Sequence, residues 1–93
     1  MEKRVLKSIK EFSNQQISIL IYSFGFNDKG SNYLFENLAN EILNRKMKSF
    51  NQDEFYYFYM GLKMNKYKDK LLWAILDRAH KELHPDLNLE IHS

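Results

Sequence analysis

The chain repeats an apolar pattern at a spacing of 38 residues, and this repeat limits the folds that it can adopt. Residues 12–38 and 50–76 share few identities, but most of their apolar positions coincide. The identical pairs are Phe12/Phe50, Asn27/Asn65, Leu34/Leu72 and Leu38/Leu76. A period of this size is typical of stacked helical units. We therefore expect an all-α fold with two stacked helical-hairpin repeats of about 38 residues, preceded by one N-terminal helix, which together form a short α-solenoid.

The length and composition fit a single α-helical repeat domain over 1–93. Within it we expect a leading helix at 1–11, units at about 12–49 and 50–86, and a tail at 87–93. The chain has 93 residues, 44% of them apolar, which suits one small core. It has no cysteine, so disulfides and thiolate metal sites are excluded. No apolar run reaches the roughly 20 residues that a membrane span needs.

Amphipathic spacing and capping residues predict five helices. The expected helices cover about 2–11, 14–26, 32–47, 52–64 and 68–83. Asn51 and Glu54 have the spacing of a capping box, and Pro85 discourages continuation of the last helix. Gly30 is expected to take a positive φ in the turn after the second helix. The alternative is a β structure, because residues 17–21 and 55–59 also have strand propensity.

One polar helix face is a candidate binding surface. If Ile17, Leu20, Ile21 and Phe24 face the core, the spacing of a helix turns other side chains outward. The expected outward residues are Gln15, Ser18 and Tyr22 in the first unit and Asp53, Tyr56, Met60 and Lys63 in the second. Their amide and aromatic groups could bond to and stack on unpaired bases. The alternative is that Tyr22 and Tyr56 pack against neighbouring hairpins.

Basic residues form three clusters, although the net charge is only +2. Cations attract phosphate groups, so each cluster is a candidate RNA contact. The alternative for each is a solvated surface, with lysines placed favourably near helix C-termini. The clusters are Lys3, Arg4, Lys7 and Lys10; then Arg45, Lys46 and Lys48; then Lys63, Lys66, Lys68 and Lys70.

The repeat resembles the organellar α-repeat families, namely the octotricopeptide and heptatricopeptide repeats and those of FAST-kinase-like and RAP-domain proteins. The residues that carry the resemblance are 12–24 (FSNQQISILIYSF) and 33–39 (YLFENLA) in the first copy. In the second they are 50–62 (FNQDEFYYFYMGL) and 71–76 (LLWAIL). The resemblance implies RNA work in mitochondria or plastids, and hence a mitochondrial location, although no transit peptide is visible at the N-terminus.

The functional expectation is a non-catalytic subunit of an organellar ribonucleoprotein, most plausibly a mitochondrial ribosome, that contacts rRNA and protein neighbours. The alternative is a protein–protein adaptor in a complex without RNA. An enzyme is not expected, since the sequence has no phosphate-binding loop or nucleophile motif. His80 and His84 lie one turn apart but lack a third ligand, so we expect surface histidines and no metal, cofactor or small-molecule substrate.

Overall fold

A computed structural model describes residues 2–27 and 31–89, apart from the side chains of residues 2, 3 and 5. Within these residues the chain is all-helical and contains no strand. The helices are α1 (Glu2–Lys7), α2 (Asn14–Phe26), α3 (Asn32–Asn44), α4 (Gln52–Asn65) and α5 (Lys70–Leu83). Two 3₁₀ turns, Ile9–Glu11 and Met47–Ser49, precede α2 and α4. The helical interpretation is therefore confirmed, and the β alternative for α2 and α4 is wrong.

The starts of α2 and α4 are fixed by two capping boxes. The Ser13 hydroxyl accepts a bond from the Gln16 amide at 3.1 Å, and the Gln16 side chain accepts from the Ser13 amide at 2.9 Å. Asn51 and Glu54 make the same pair of bonds at 2.8 and 2.9 Å. Each box satisfies two N–H groups that the first helical turn leaves free. The capping box predicted at Asn51 is confirmed.

Three predicted boundaries differ from the structure. The leading helix ends at Lys7 and continues as a 3₁₀ turn. Helix α3 ends at Asn44 and not near Met47, because Arg45 is extended, with φ −91° and ψ 151°. Helix α5 begins at Lys70, since the Asp69 side chain caps it by accepting bonds at 3.1 Å from the Leu71 amide and at 3.2 Å from the Leu72 amide. The turn expected at Gly30 lies outside the described residues.

The starts of the elements recur at the spacing of the sequence repeat. The 3₁₀ turns begin at Ile9 and Met47, which are 38 residues apart. The same interval separates the first residues of α2 and α4, and those of α3 and α5. Lys66, after α4, has a φ of 60° and is the one non-glycine residue with positive φ among those described.

Helices α2 and α4 lie side by side and run parallel. At their N-terminal ends, the Asn14 side-chain amide donates to the backbone and side-chain oxygens of Ser49, both at 3.1 Å. At the other end, a Cβ placed on Gly25 would collide with the carbonyl group of Gly61. A Cβ on Gly61 would lie 2.7 Å from the Cα of Tyr22. The two helix backbones thus touch directly, and only glycine fits at the crossing.

The core is a single apolar cluster that includes side chains from α2, α3, α4 and α5. Its largest fully buried members are Ile17, Ile21, Leu34, Phe35, Leu38, Ile42, Phe50, Phe55, Phe58, Met60, Leu62 and Leu72. Leu20 and Phe24 were expected to face this core, and both pack against it, although each is only half-buried. Ser18 was expected to face outward and is instead fully buried. Ser18 is buried because α2 packs closely against α4.

Candidate functional site

Most of the predicted basic residues are exposed at the surface. They are Arg4, Lys7, Lys10, Lys46, Lys48, Lys63, Lys66, Lys68 and Lys70. The side chain of Lys3 lies outside the described part of the structure. Lys10 and Lys48 are the middle residues of the two 3₁₀ turns. Since the Asn14–Ser49 contact ties the start of α2 to the second turn, these turns belong to the same edge of the molecule.

An open cleft of about 500 Å³ lies between the second 3₁₀ turn and α5, and we call it the basic turn cleft. It is lined by Lys46, Met47, Lys48, Ile75, Arg78, Ala79, Glu82 and Leu83. Three cations surround an apolar floor, and Glu82 accepts a bond from Arg78 at 3.0 Å. That ion pair is largely exposed, so it constrains Arg78 only weakly. The cleft therefore offers cationic groups beside an apolar surface.

Arg78 was missed in the sequence. It lies on a different helix from Lys46 and Lys48, about 30 residues further along the chain, and no local charge pattern connects them. Only the packing of α5 against the second 3₁₀ turn brings the three cations to one cleft.

Arg45 does not belong to this exposed group, contrary to the expectation. Its Nε donates to Glu41 at 2.9 Å, and one terminal nitrogen donates to the Asn14 side chain at 3.0 Å. The other terminal nitrogen lies 3.3 Å from the backbone oxygen of Ile9. The guanidinium thus joins α3, α2 and the first 3₁₀ turn, and each of its three nitrogens donates one bond within the fold. Its role is structural, because a phosphate would have to displace these bonds.

The third basic cluster lies at the opposite end of α4. Lys63 is in the last turn of α4, whereas Lys46 and Lys48 precede its first turn. A helix of 14 residues is about 21 Å long, so the two clusters are separate surfaces. The Lys63 ammonium lies 5.9 Å from the ring centre of Tyr59, within the range of a cation–π contact.

A second cleft follows α4 and mixes basic, acidic and aromatic groups. It is lined by Tyr67, Lys68, Asp69, Lys70, Trp73, Ala74 and Asp77. The Trp73 indole N–H donates to the Tyr67 carbonyl at 2.7 Å, which fixes the ring. Two carboxylates lie beside Lys68 and Lys70 here, so the local charge balances. This cleft is a weaker site for phosphate than the basic turn cleft.

Two tyrosines near this cleft have shifted pKa values. Burial raises the pKa of Tyr59 above 10.0, and the charge of Asp77, to which its hydroxyl donates at 3.4 Å, raises it further. Burial and the charges of Asp69 and Glu36 likewise raise the pKa of Tyr67. Both effects disfavour the phenolate form, so these side chains remain neutral donors at physiological pH.

The predicted polar face of α2 and α4 is only partly formed. Gln15, Asp53 and Lys63 are exposed as expected. Ser18 and Met60 were expected to face outward but are buried, so they cannot line a surface. Tyr22 is half-buried, with its ring centre 5.1 Å from that of Tyr57 in an edge-on contact. Tyr56, also half-buried, meets Tyr57 edge-on at 5.8 Å. Tyr22 and Tyr56 therefore pack on Tyr57, a residue that was not among those expected on this face.

His80 and His84, on and just after α5, pack against the core, which corrects their expected surface position. His80 Nε2 lies 2.7 Å from the Leu87 carbonyl. Both imidazole rings lie against Phe55, at centre distances of 6.2 and 5.4 Å. No cluster of three or more His, Cys, Asp or Glu residues suited to a metal ion occurs within 2–27 and 31–89.

In the same described ranges, none of the helices has the length and apolar character that crossing a membrane requires. Comparison of the chain with protein families, curated proteins and solved structures gives no match.

Proposed function

We propose that the chain is a short α-solenoid of two stacked helical hairpins, 12–49 and 50–86, which follow the N-terminal segment 1–11 in the sequence. Three features support this arrangement. The helices and 3₁₀ turns recur every 38 residues, the capping boxes occupy equivalent positions, and α2 packs in parallel on α4. Parallel contact between the first helices of successive units is the packing expected of stacked hairpins.

We further propose that this protein is a non-catalytic subunit that binds RNA within a ribonucleoprotein. The observation that carries the proposal is the basic turn cleft, where Lys46, Lys48 and Arg78 surround an apolar floor. Cationic groups attract phosphates, and the apolar floor provides a surface against which a sugar or base can lie. Lys10 extends the basic edge to the first 3₁₀ turn.

The resemblance to organellar repeat proteins extends this proposal to a mitochondrial ribonucleoprotein, such as the mitochondrial ribosome. In such an assembly the lysine-rich turns would contact rRNA, and the aromatic surfaces would contact protein neighbours. Binding to RNA can be measured on the purified chain, whichever compartment it occupies.

The test is a fluorescence-anisotropy titration of a labelled single-stranded RNA oligonucleotide with the full chain at several salt concentrations. Three phosphate contacts in the basic turn cleft predict that log K falls with log salt at a slope of about −2, because each contact releases a condensed counterion. The variant Lys48→Glu is expected to weaken binding and to reduce the size of the slope by about 0.7 or more.

Lys81→Glu is the matched control. Lys81 is exposed and lies on α5, but it does not line the cleft. The substitution changes the net charge by the same amount as Lys48→Glu, so a general effect of charge would weaken both variants equally. Equal affinities for the two variants, or binding that does not respond to salt, would contradict the assignment of RNA to this cleft.

A protein-binding adaptor remains a second candidate function, because several large apolar side chains are exposed. Ile19 is 41% exposed, Phe26 45% and Leu71 70%. Exposed apolar side chains of this size can pack against a protein partner. Association through these groups would persist at high salt, whereas phosphate contacts would weaken, so the salt titration separates the two candidates.

A further inference from the structure

An open groove of about 350 Å³ runs along the side of α2 that faces away from α4, and we call it the α2 groove. It is lined by Phe12, Gln15, Gln16, Ile19, Leu20 and Ser23. Gln16, Leu20 and Ser23 follow helical spacing on one face. Ser18 and Gly25, which lie against α4, are on the opposite face of the same helix.

The equivalent face of α4 is already covered by a helix. Residues 38 positions after Phe12, Gln16, Leu20 and Ser23 are Phe50, Glu54, Phe58 and Gly61. Gly61 touches the backbone of α2, and Glu54 lines the groove between α2 and α4.

Phe50 and Phe58 are 1% and 0% exposed, whereas their counterparts Phe12 and Leu20 are only half-buried. The α2 groove therefore continues the pattern of the interface between α2 and α4, but no helix among the described residues covers it.

The side of α2 that packs against α4 indicates which side chains a helix bound in the α2 groove would need. It presents two small residues seven positions apart, Ser18 and Gly25, and Gly25 fits directly against the Gly61 carbonyl. In the α2 groove, Ser23 takes the place of Gly61. A side chain at Gly61 would lie 2.7 Å from the Cα of Tyr22, so a helix next to Ser23 must stand further from α2.

We propose that the α2 groove binds a partner protein through an amphipathic helix that lies parallel to α2. This helix presents small residues at two positions seven apart, with a Gly, Ala or Ser opposite Ser23. The inference rests on the proposed repeat arrangement, and it adds a protein partner at a surface separate from the basic turn cleft.

A second copy of this chain does not fit this description. The face of α4 equivalent to the small face of α2 carries Tyr56 at the position of Ser18 and Lys63 at that of Gly25. Both side chains project from the face that would have to enter the groove. Their bulk prevents the close approach that Ser18 and Gly25 permit between α2 and α4.

The test uses the full chain, labelled for NMR, and a synthetic peptide of residues 13–27 with an added tri-lysine tag as the probe helix. We expect the amide signals of Gln16, Leu20 and Ser23 to shift on titration. A control peptide carries Ser18→Tyr and Gly25→Lys, with the same tag, and should bind at least about tenfold more weakly.

A chain variant, Ser23→Arg, fills the groove from an exposed position and should weaken binding of the first peptide to a similar degree. Absence of groove shifts, equal binding of both peptides, or self-association of the chain through the groove in sedimentation equilibrium would each overturn the proposal. RNA binding is measured separately at a different surface, so a failed peptide titration does not imply failed RNA binding.

Discussion

Replacement of Gly61 by alanine tests whether the backbones of α2 and α4 touch. The new Cβ would collide with the carbonyl group of Ile21, whose carbon would lie 2.5 Å away, whereas carbon atoms prefer separations of about 3.5–4.0 Å. The neighbouring atoms are backbone, so relief requires the two helices to move apart by about 1 Å. Overpacking of this kind costs about 3 kcal/mol, and the higher helix propensity of alanine returns about 1 kcal/mol.

The net expectation for Gly61→Ala is a loss of about 2 kcal/mol in the free energy of unfolding. For a domain of this size, that loss lowers Tm by about 8–16 °C. The assay is thermal and urea unfolding followed by circular dichroism. The total stability of such a domain is about 5–14 kcal/mol, so the change is readily measured.

Asn40→Ala is the matched control, because Asn40 is exposed in the middle of α3. This substitution also introduces alanine, with its higher helix propensity, but it creates no steric clash. It should raise the free energy of unfolding by a few tenths of a kcal/mol, about 0.5 at most. If Gly61→Ala stabilises the protein as Asn40→Ala does, the two helices are not in backbone contact. The parallel packing described above would then be refuted.

Three further predictions concern buried or paired groups. Ser18→Ala removes a buried hydroxyl that has no partner, and should raise the free energy of unfolding by about 1 kcal/mol in urea titrations. Arg45→Ala should lower it by about 1–3 kcal/mol, and Arg45→Lys should not restore it, because lysine cannot reproduce three directed bonds. Burial and Asp77 raise the folded-state pKa of Tyr59. The contribution of Tyr59 to the free energy of unfolding should therefore be fully present below pH 10.0 and be lost as the pH rises through the folded-state pKa. The variant Tyr59→Phe should show a smaller loss of stability over this pH range.

The helices themselves could be predicted because their signals are local. The capping pair Asn51 and Glu54 lies within one turn, and the bonds that it makes do not depend on the rest of the fold. The 38-residue spacing of the apolar pattern also matches the spacing of the helix starts. Such features are determined by neighbours along the chain, so a sequence pattern detects them.

The buried position of Ser18 and the bonds of Arg45 could not be predicted in this way. Ser18 is covered because Gly25 and Gly61 let α2 and α4 approach closely, and a glycine in a helical pattern reads only as a weak helix former. Arg45 resembles a free cation beside Lys46, yet its partners Asn14 and Ile9 lie 31 and 36 residues away. Contacts at such sequence distances leave no periodic signal.

The parallel contact of α2 with α4 has a consequence for how the chain folds. The contact joins two helices that are separated along the chain by α3. The segment between Gly25 and Gly61 must therefore close into a long loop before the two helices touch, and this closure costs conformational entropy. Folding of α2 with α3, or of α4 with α5, cannot provide this contact by itself. We therefore expect folding to be cooperative over residues 14–65, with a rate set by this long-range encounter. A fragment that stops before Phe50 would expose the small-residue face of α2 and the apolar side chains around it, and would be prone to aggregate.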